Sequence, residues 1–314
     1  MRVGASPVVL AFIAAAALLL AGQLLSPGFA SGAQVINLLV VGSFLGIAAA
    51  GQNLVVIGGG GGIDLSVGHV MTLGAIVGGN IVNGQDGRTL FALGVVLAGM
   101  FAVGALNGLG VTFLRIPPLV MTLGMSGVIQ GLILYMTRGA KVGSATPGMV
   151  ALITGQWLFG VPGILFIWLG FAVLMVLLLR NTRYGIDLYA VGANETVAYL
   201  SGTPVRLTRV LTYGLCGMIA GLSGFLMLGY TKTVYMSLGH AYTLPSIIAV
   251  VIGGTALAGG KGGYVGTVAG AIVLTLLKAV LITLNIEEFG RQIIFGVTLI
   301  ILMLAYGRDK KLRA

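Results

Sequence analysis

The chain has 314 residues, 58% hydrophobic and 8% charged, with a formal net charge of +10. A soluble domain carries roughly 25% charged residues, so this composition excludes a water-soluble enzyme and indicates a polypeptide that crosses a membrane several times. The basic residues do not gather on one face or helix, as a nucleic-acid site requires; they lie between apolar runs, as the positive-inside rule describes.

Ten spans are read along the chain, each of about 20 mainly apolar residues. The first covers 7–25. It follows Arg2 and precedes the small residues Ala30–Ala33, a pattern shared with signal peptides, but in a chain with this many spans an uncleaved helix is expected. The second span covers 35–57 and the third 64–82. Residues 58–68 read Gly-Gly-Gly-Gly-Gly-Ile-Asp-Leu-Ser-Val-Gly, and no charge lies between Arg2 and Asp64. A carboxylate at that depth needs protein partners or a wet path. Asp64 is expected to cap the third span by accepting from the backbone N–H groups of 66 and 67. A path-lining role is compatible, because broken helices are where transporters hold ligands.

The next spans are 89–114, 118–136 and 161–179. The longest polar stretch, 180–208, follows. In it Asn194 is placed to cap a short helix over Glu195–Leu200, and Glu195 suits the first turn of that helix. Ser201-Gly202 ends it and Pro204 blocks its continuation. A short capped helix between two spans is either a docking knob for a partner or an ordinary surface helix. The last spans are 209–229, 242–258, 263–284 and 290–306. An even count puts both termini on one side. The excess of basic residues at Arg2, Arg115, Arg180, Arg183, Arg206, Arg209, Lys261 and Arg308–Arg313 makes that side the cytoplasm.

Glycine is abundant, 53 of 314 residues. Many fall at helical small-xxx-small spacing: Gly42/Gly46, Gly104/Gly108, Gly127/Gly131, Gly217/Gly221 and Gly262/Gly266/Gly270. Such pairs let helix backbones approach closely in lipid. The chain also repeats itself. Leu-Ser-Val-Gly-His-Val-Met-Thr-Leu at 65–73 matches Met-Ser-Leu-Gly-His-Ala-Tyr-Thr-Leu at 236–244. The two segments are five spans apart, so they belong to an inverted repeat. His69 and His240, the only two histidines, occupy matching positions.

Groups for catalysis are sparse. Cys216 stands alone, which excludes an internal disulfide. Two histidines, one cysteine and seven acids do not form a metal set or a triad. His69 and His240 are read as hydrogen-bonded structural residues at span ends. Lys261 is no phosphate-loop lysine, because Thr255 stands where the loop needs glycine and Gly262 where it needs serine or threonine. The polar groups within spans, Asn37, Gln52, Asn53, Asn107, Thr122 and Gln130, together with Asp64, are the candidates for lining a path. A neighbouring helix could satisfy each of them equally well.

Four segments, in order along the chain, carry a resemblance to a known family. They are Gly-Gly-Ile-Asp-Leu-Ser-Val-Gly at 61–68, Ile-Pro-Pro-Leu-Val-Met-Thr-Leu-Gly at 116–124, Tyr-Ala-Val-Gly-Ala-Asn-Glu at 189–195 with Leu-Ser-Gly at 200–202, and Leu-Pro-Ser-Ile-Ile-Ala-Val-Val-Ile-Gly-Gly-Thr-Ala-Leu-Ala-Gly-Gly at 244–260. Together they resemble the membrane permease of ATP-binding-cassette importers of the ribose and simple-sugar type. The glycine run before Ile63 is about two residues longer than that family's usual form.

The resemblance implies an all-α polytopic membrane protein of about ten transmembrane helices, like a type II importer, with residues 1–314 forming one permease domain. It implies a dimeric pore of two identical or related permeases in the bacterial inner membrane. It also implies a periplasmic sugar-binding protein and a cytoplasmic ATPase that carries the ATP and magnesium, with no cofactor on this chain. The stretch Asn194–Pro204 then becomes the coupling helix, and Gly192, Asn194, Glu195, Ala198, Ser201, Gly202 and Pro204 its expected ATPase-coupling residues. The alternatives are an ion-coupled secondary carrier with Asp64 as the ion site, or a permease of the same fold for branched-chain amino acids.

Overall fold

The computed structural model describes residues 6–307, and the positive charges at Arg2 and Arg308–Arg313 lie outside the described residues. Thirteen helices dominate the described part. Helix α1 (Pro7–Leu25) opens on Ser6, whose hydroxyl accepts from Val9 N, with Pro7 in the first turn where its missing N–H costs nothing. Ser31 caps α2 (Gly32–Ile57) in the same way. There follow α3 (Val67–Val82), α4 (Thr89–Thr112), α5 (Pro118–Thr137), α6 (Pro147–Thr154), α7 (Gly163–Asn181), α8 (Arg183–Ala193) and α9 (Glu195–Leu200). The chain ends with α10 (Val205–Thr231), α11 (Thr243–Ile252), α12 (Tyr264–Thr283) and α13 (Glu288–Gly307). Two short strands, β1 (Val142–Ser144) and β2 (Thr233–Val234), pair antiparallel.

Among the described residues seven helices are long and apolar enough to cross a membrane: α1, α2, α4 with the turn before it, α5, α7, α10 and α12. Helix α13 adds 20 residues. The apolar helices α3 and α11 are shorter, with 16 and 10 residues. Two expected spans therefore need correction. The segment 64–82 is helical only from Val67. The segment 242–258 is helical only to Ile252, and then runs as a glycine loop to Gly263 in which Gly254, Gly259, Gly260 and Gly262 take positive φ. Glycines on both sides prevent Thr255–Ala258 from extending the helix, despite two alanines and a leucine. Helix α8 lies inside the stretch read as a polar loop.

The order long helix, half helix, long helix, 20-residue helix occurs twice, as α2–α5 and as α10–α13. Packing follows the same scheme. Helix α4 lies on α10 as α12 lies on α2, and α3 meets α5 as α11 meets α13. The matching sequence segments touch one another. The His69 and His240 rings meet edge to face at 5.6 Å. A Cβ on Gly68 would overlap the Gly239 carbonyl, and one on Gly239 would overlap the Gly68 carbonyl. Contacts that exchange in this way are what a two-fold relation produces. From this crossing point α3 runs to Gly79, which lies against Gly143 of β1. Helix α11 runs the opposite way, to a loop that lies against Gly59 and Gly192. The repeat is inverted.

Glycines bring the helices of the core together. Gly51 faces the Cys216 backbone, Gly74 faces Gly221, Gly108 faces Val210, and Gly266 and Gly270 face Gly253 and Ala249. Gly127 and Gly131 depart from the expected packing. Nothing lies within 4 Å of where their Cβ atoms would stand, because α5 sits at the edge of the bundle with this face outward.

Candidate functional site: a capped helix and a broken helix

Thr182 begins α8 by accepting from Gly185 N at 3.1 Å, and α8 ends at Asn194. The Asn194 carboxamide then accepts from Val197 N at 3.1 Å and starts α9, as its sequence position indicates. The end of α9 also follows the sequence. Ser201 N donates to Val197 O, Thr203 N to Ala198 O, and Gly202 takes φ +82°. Pro204 does more than block α9: its carbonyl accepts from Thr208 N and opens α10. Ala198 is buried against Val191 and Val205, while Val197, Tyr199 and Leu200 project outward. Glu195, at the start of α9, bonds to Arg209 of α10 at 2.7 Å.

Gly192 holds α8 against the bundle. A Cβ there would overlap the Ile57 carbonyl that ends α2 and would press on Gly260 N at 2.5 Å. That same pair forms a hydrogen bond, Gly260 N to Ile57 O, at 2.9 Å. Gly59, at φ +71°, completes the cluster. The Tyr189 hydroxyl donates to Gly262 O at 2.8 Å, and desolvation pushes its pKa up, which keeps it a neutral donor. Asn53 of α2 ties in the same glycine loop by donating to Thr255 Oγ1 at 2.8 Å.

The glycine run after α2 leads into the broken segment 63–66. Asp64 is buried, and its Oδ1 accepts from Ser66 N at 2.8 Å and from the Ser66 hydroxyl at 2.5 Å. The expected bond from the backbone of 67 is not formed. The helix starts one residue past Ser66, and the serine hydroxyl takes that place. Ser66 Oγ in turn accepts from Asn107 of α4 at 3.0 Å. The Gln52 amide, turned so that both its atoms are satisfied, donates to Asp64 O and accepts from Asp64 N at 3.1 and 3.2 Å. Thr122 of α5 accepts from Leu65 N at 3.1 Å, and Ser126 lies 3.1 Å from the Leu65 carbonyl. Side chains from three helices thus replace the missing backbone ladder, as non-helical backbone at membrane depth requires.

Four candidate path residues, Gln52, Asp64, Asn107 and Thr122, therefore converge on one break. Asn53 instead serves the glycine loop. Asn37 and Gln130 are exposed on α2 and α5, and among the described residues neither has a side-chain hydrogen-bond partner. Sequence reasoning missed Ser66, Ser126, Thr255 and Arg209. Thr122 and Ser126 stand at i, i+4 on one helix face, a spacing that could have marked the pair. Arg209 reaches Glu195 only across the Pro204 turn, so no periodicity announces it.

The break separates two crevices. One, of ≈ 430 Å³, lies beside α9 and is lined by Gly62, Arg115, Pro118, Glu195, Arg209 and Tyr213 among others. The other, of ≈ 300 Å³, is lined by Leu65, His69, Ser126 and His240 among others. Gly62 and Leu65 thus border different crevices, as do Pro118 and Ser126.

The family described as "Branched-chain amino acid transport system / permease component" matches residues 34–303. The chain belongs to this permease family. It is 34% identical over 286 residues to the ribose import permease protein RbsC of Escherichia coli K12, covering 89% of this chain and 87% of that one. The RbsC of Bacillus subtilis is 33% identical over 90% of this chain and 87% of its own length. The autoinducer 2 import system permease protein LsrC of Yersinia pseudotuberculosis is 31% identical, over 88% of this chain and 76% of its own. No solved structure gives a significant match. The permease assignment agrees with the apolar helices: this is a multi-pass membrane protein.

Proposed function

We propose that this chain is the permease subunit of an ATP-driven importer that carries a monosaccharide or similar small polar solute across the bacterial inner membrane. The substrate class follows from relatives named for ribose and autoinducer 2 import that match nearly the whole chain. The observation that carries the motor part is α9. It is a capped helix of six residues with Val197, Tyr199 and Leu200 turned outward, joined to the bundle by the Glu195–Arg209 pair and the Gly192 contact. Such a knob suits a groove on a cytoplasmic ATPase.

In this reading both termini and α9 are cytoplasmic, ATP and magnesium stay on the partner, and this chain needs no cofactor. A periplasmic sugar-binding protein delivers the solute, and a second permease copy or a related chain completes the pore. The whole chain acts as one permease domain. Movement of α9 reaches the break through Arg209 and through the Gly59–Gly192–Gly260 cluster, and displacement of segment 63–66 opens one crevice while closing the other. No covalent chemistry occurs here.

Reconstitution with the partner proteins tests this. Sugar uptake into vesicles should require ATP and ignore an ionophore, and leucine should not compete. Competition by leucine would move the substrate to the branched-chain amino acids. A second reading, an ion-coupled carrier, is favoured by one observation: Asp64 is a buried carboxylate with no cationic partner among the described residues, its neighbours being Ser66, Asn107 and the Cys216 thiol. Uptake that collapses with ionophore and proceeds without ATP would establish it.

A further inference from the structure

We propose that the hairpin 156–162 is a membrane wedge, which seats Leu158 and Phe159 among the lipids on the membrane face opposite α9. The hairpin joins α6 to α7, and the length of α7 separates it from α8 and α9. Its base is closed by a bridge between Gln156 and Pro162, and Trp157 N donates to Val161 O at 2.9 Å. At the tip Val161 N donates to Leu158 O at 3.0 Å. The two residues between them, Phe159 and Gly160, take φ of +57° and +74°. Consecutive positive φ marks the hairpin turn that ordinarily takes Asn-Gly.

Phenylalanine is an unfavourable choice at such a position, because a bulky L residue in the left-handed region crowds its Cβ against the backbone. Packing within the protein does not offset this strain. Phe159 is 98% exposed, so its ring touches almost nothing in the chain, and Leu158 beside it is 62% exposed. Strain of this kind persists at functional sites. A ring held rigidly outward serves contact with something outside the chain.

The surroundings identify that contact as lipid. No charged residue occurs from Val142 to Leu179. A surface that docks a water-soluble protein has a polar rim, whereas this tip carries only leucine, phenylalanine, glycine and valine. The depth of the hairpin agrees. The Trp157 ring lies where a Cβ on Gly163 would stand, and it stacks on Phe166 with centroids 5.9 Å apart and planes at 7°. Gly163 and Phe166 belong to the first turn of α7, a helix of spanning length. Trp157 is thus fixed at the end of a span, where tryptophan and tyrosine form aromatic belts. Helix α6 carries this hold into the bundle, since a Cβ on Gly229 of α10 would press on Met149 and Ile153. Arg209 stands near the other end of α10, so the wedge steadies the far end of the helix that α9 moves. That steadying role rests on the reading of α9 above; the insertion does not.

The full chain in nanodiscs of phosphatidylethanolamine and phosphatidylglycerol provides the test, with neither ATP nor sugar required. Phe159→Cys and Leu158→Cys each take a nitrobenzoxadiazole label, and the chain's own cysteine, Cys216, is buried. Gln85→Cys is the water-exposed reference. It lies on the same membrane face, because Gly148 N of α6 donates to Asp86 Oδ1 at 2.9 Å. Iodide should quench the label on Phe159→Cys about fivefold less than the label on Gln85→Cys, as an apolar tip seated in the interface requires. Lipids bearing a nitroxide near the headgroup should quench Phe159→Cys more strongly than lipids bearing it deep in the acyl chain. Equal iodide quenching of Phe159→Cys and Gln85→Cys overturns the proposal. So does iodide quenching that disappears only when the solute-binding protein is added, which would assign the hairpin to that partner. If Phe159→Cys does not fold, the same comparison with Leu158→Cys decides.

Discussion

Glu195 and Arg209 form a 2.7 Å ion pair across the turn that joins α9 to α10, the only ionic link between these helices among the described residues. Their side chains are 53% and 20% exposed, so solvent screens the pair and its contribution to stability is at most about 1 kcal/mol. Its value lies in direction: it fixes α9 to the helix that carries Tyr213 and Cys216 into the core. Glu195→Arg should therefore leave the melting temperature in detergent nearly unchanged. It should lower ATP-driven uptake by about tenfold, and the exchange Glu195→Arg with Arg209→Glu should restore most of it. Normal uptake in the single variant would show that the pair transmits nothing.

Two glycines of the same region should behave differently. A Cβ at Gly192 has no room, since the Ile57 carbonyl occupies its place. Gly192→Ala must push α8 away from α2, at a cost of about 1–3 kcal/mol or more. Gly202 has nothing within 4 Å and is glycine only for its φ of +82°. Gly202→Asn should be nearly neutral, because asparagine tolerates the left-handed region. Melting temperatures and recovery of the purified ATPase complex check both. A Gly192→Ala protein as stable as the native chain would contradict the packing described.

Much of this was legible in the sequence, because the strongest signals are local. Apolar runs of spanning length gave the long helices, and the residues Asn194, Glu195, Gly202 and Pro204 gave α9 with its cap and stop. The matched segments at 65–73 and 236–244 disclosed the inverted repeat. What stayed hidden depends on partners far apart in the chain. Helix α8 looks like loop because it is short and charged, although Thr182 marks its start. The early end of α11 arises from a glycine loop that packs on Gly59 and Gly192, whose positions no periodicity reports. Gln52 and Asn107 read as isolated amides until the break brings them to Asp64 and Ser66.

Asp64 should prove structural in the first instance. Its Oδ1 accepts two bonds from Ser66, and its backbone is held by Gln52. Asp64→Ala leaves the Ser66 N–H without its acceptor in a buried site, a loss of about 1–3 kcal/mol. Asp64→Asn keeps an oxygen at Oδ1 and should retain most of the stability. The difference should appear as a clear drop in melting temperature for alanine and a small one for asparagine. Alanine that melts like the native protein but transports nothing would make Asp64 a path residue instead.

The closest reciprocal contact of the repeat gives the most demanding prediction. Gly68 and Gly239, 171 residues apart, each block the space of the other's Cβ with a carbonyl. Gly68→Ala therefore forces apart the same two backbones as Gly239→Ala. Each should destabilise the protein by about 1–3 kcal/mol, through overpacking where neither backbone can yield cheaply. The first alanine opens the gap that the second needs, so the pair should cost less than the sum of the single changes, with a coupling of about 0.5–3 kcal/mol. The same opening separates Gly239 N from Thr72 Oγ1, and hydrogen exchange at Gly239 should rise in both single variants. Strictly additive losses, or exchange that rises in only one of them, would mean that the two half helices do not meet at a shared two-fold contact.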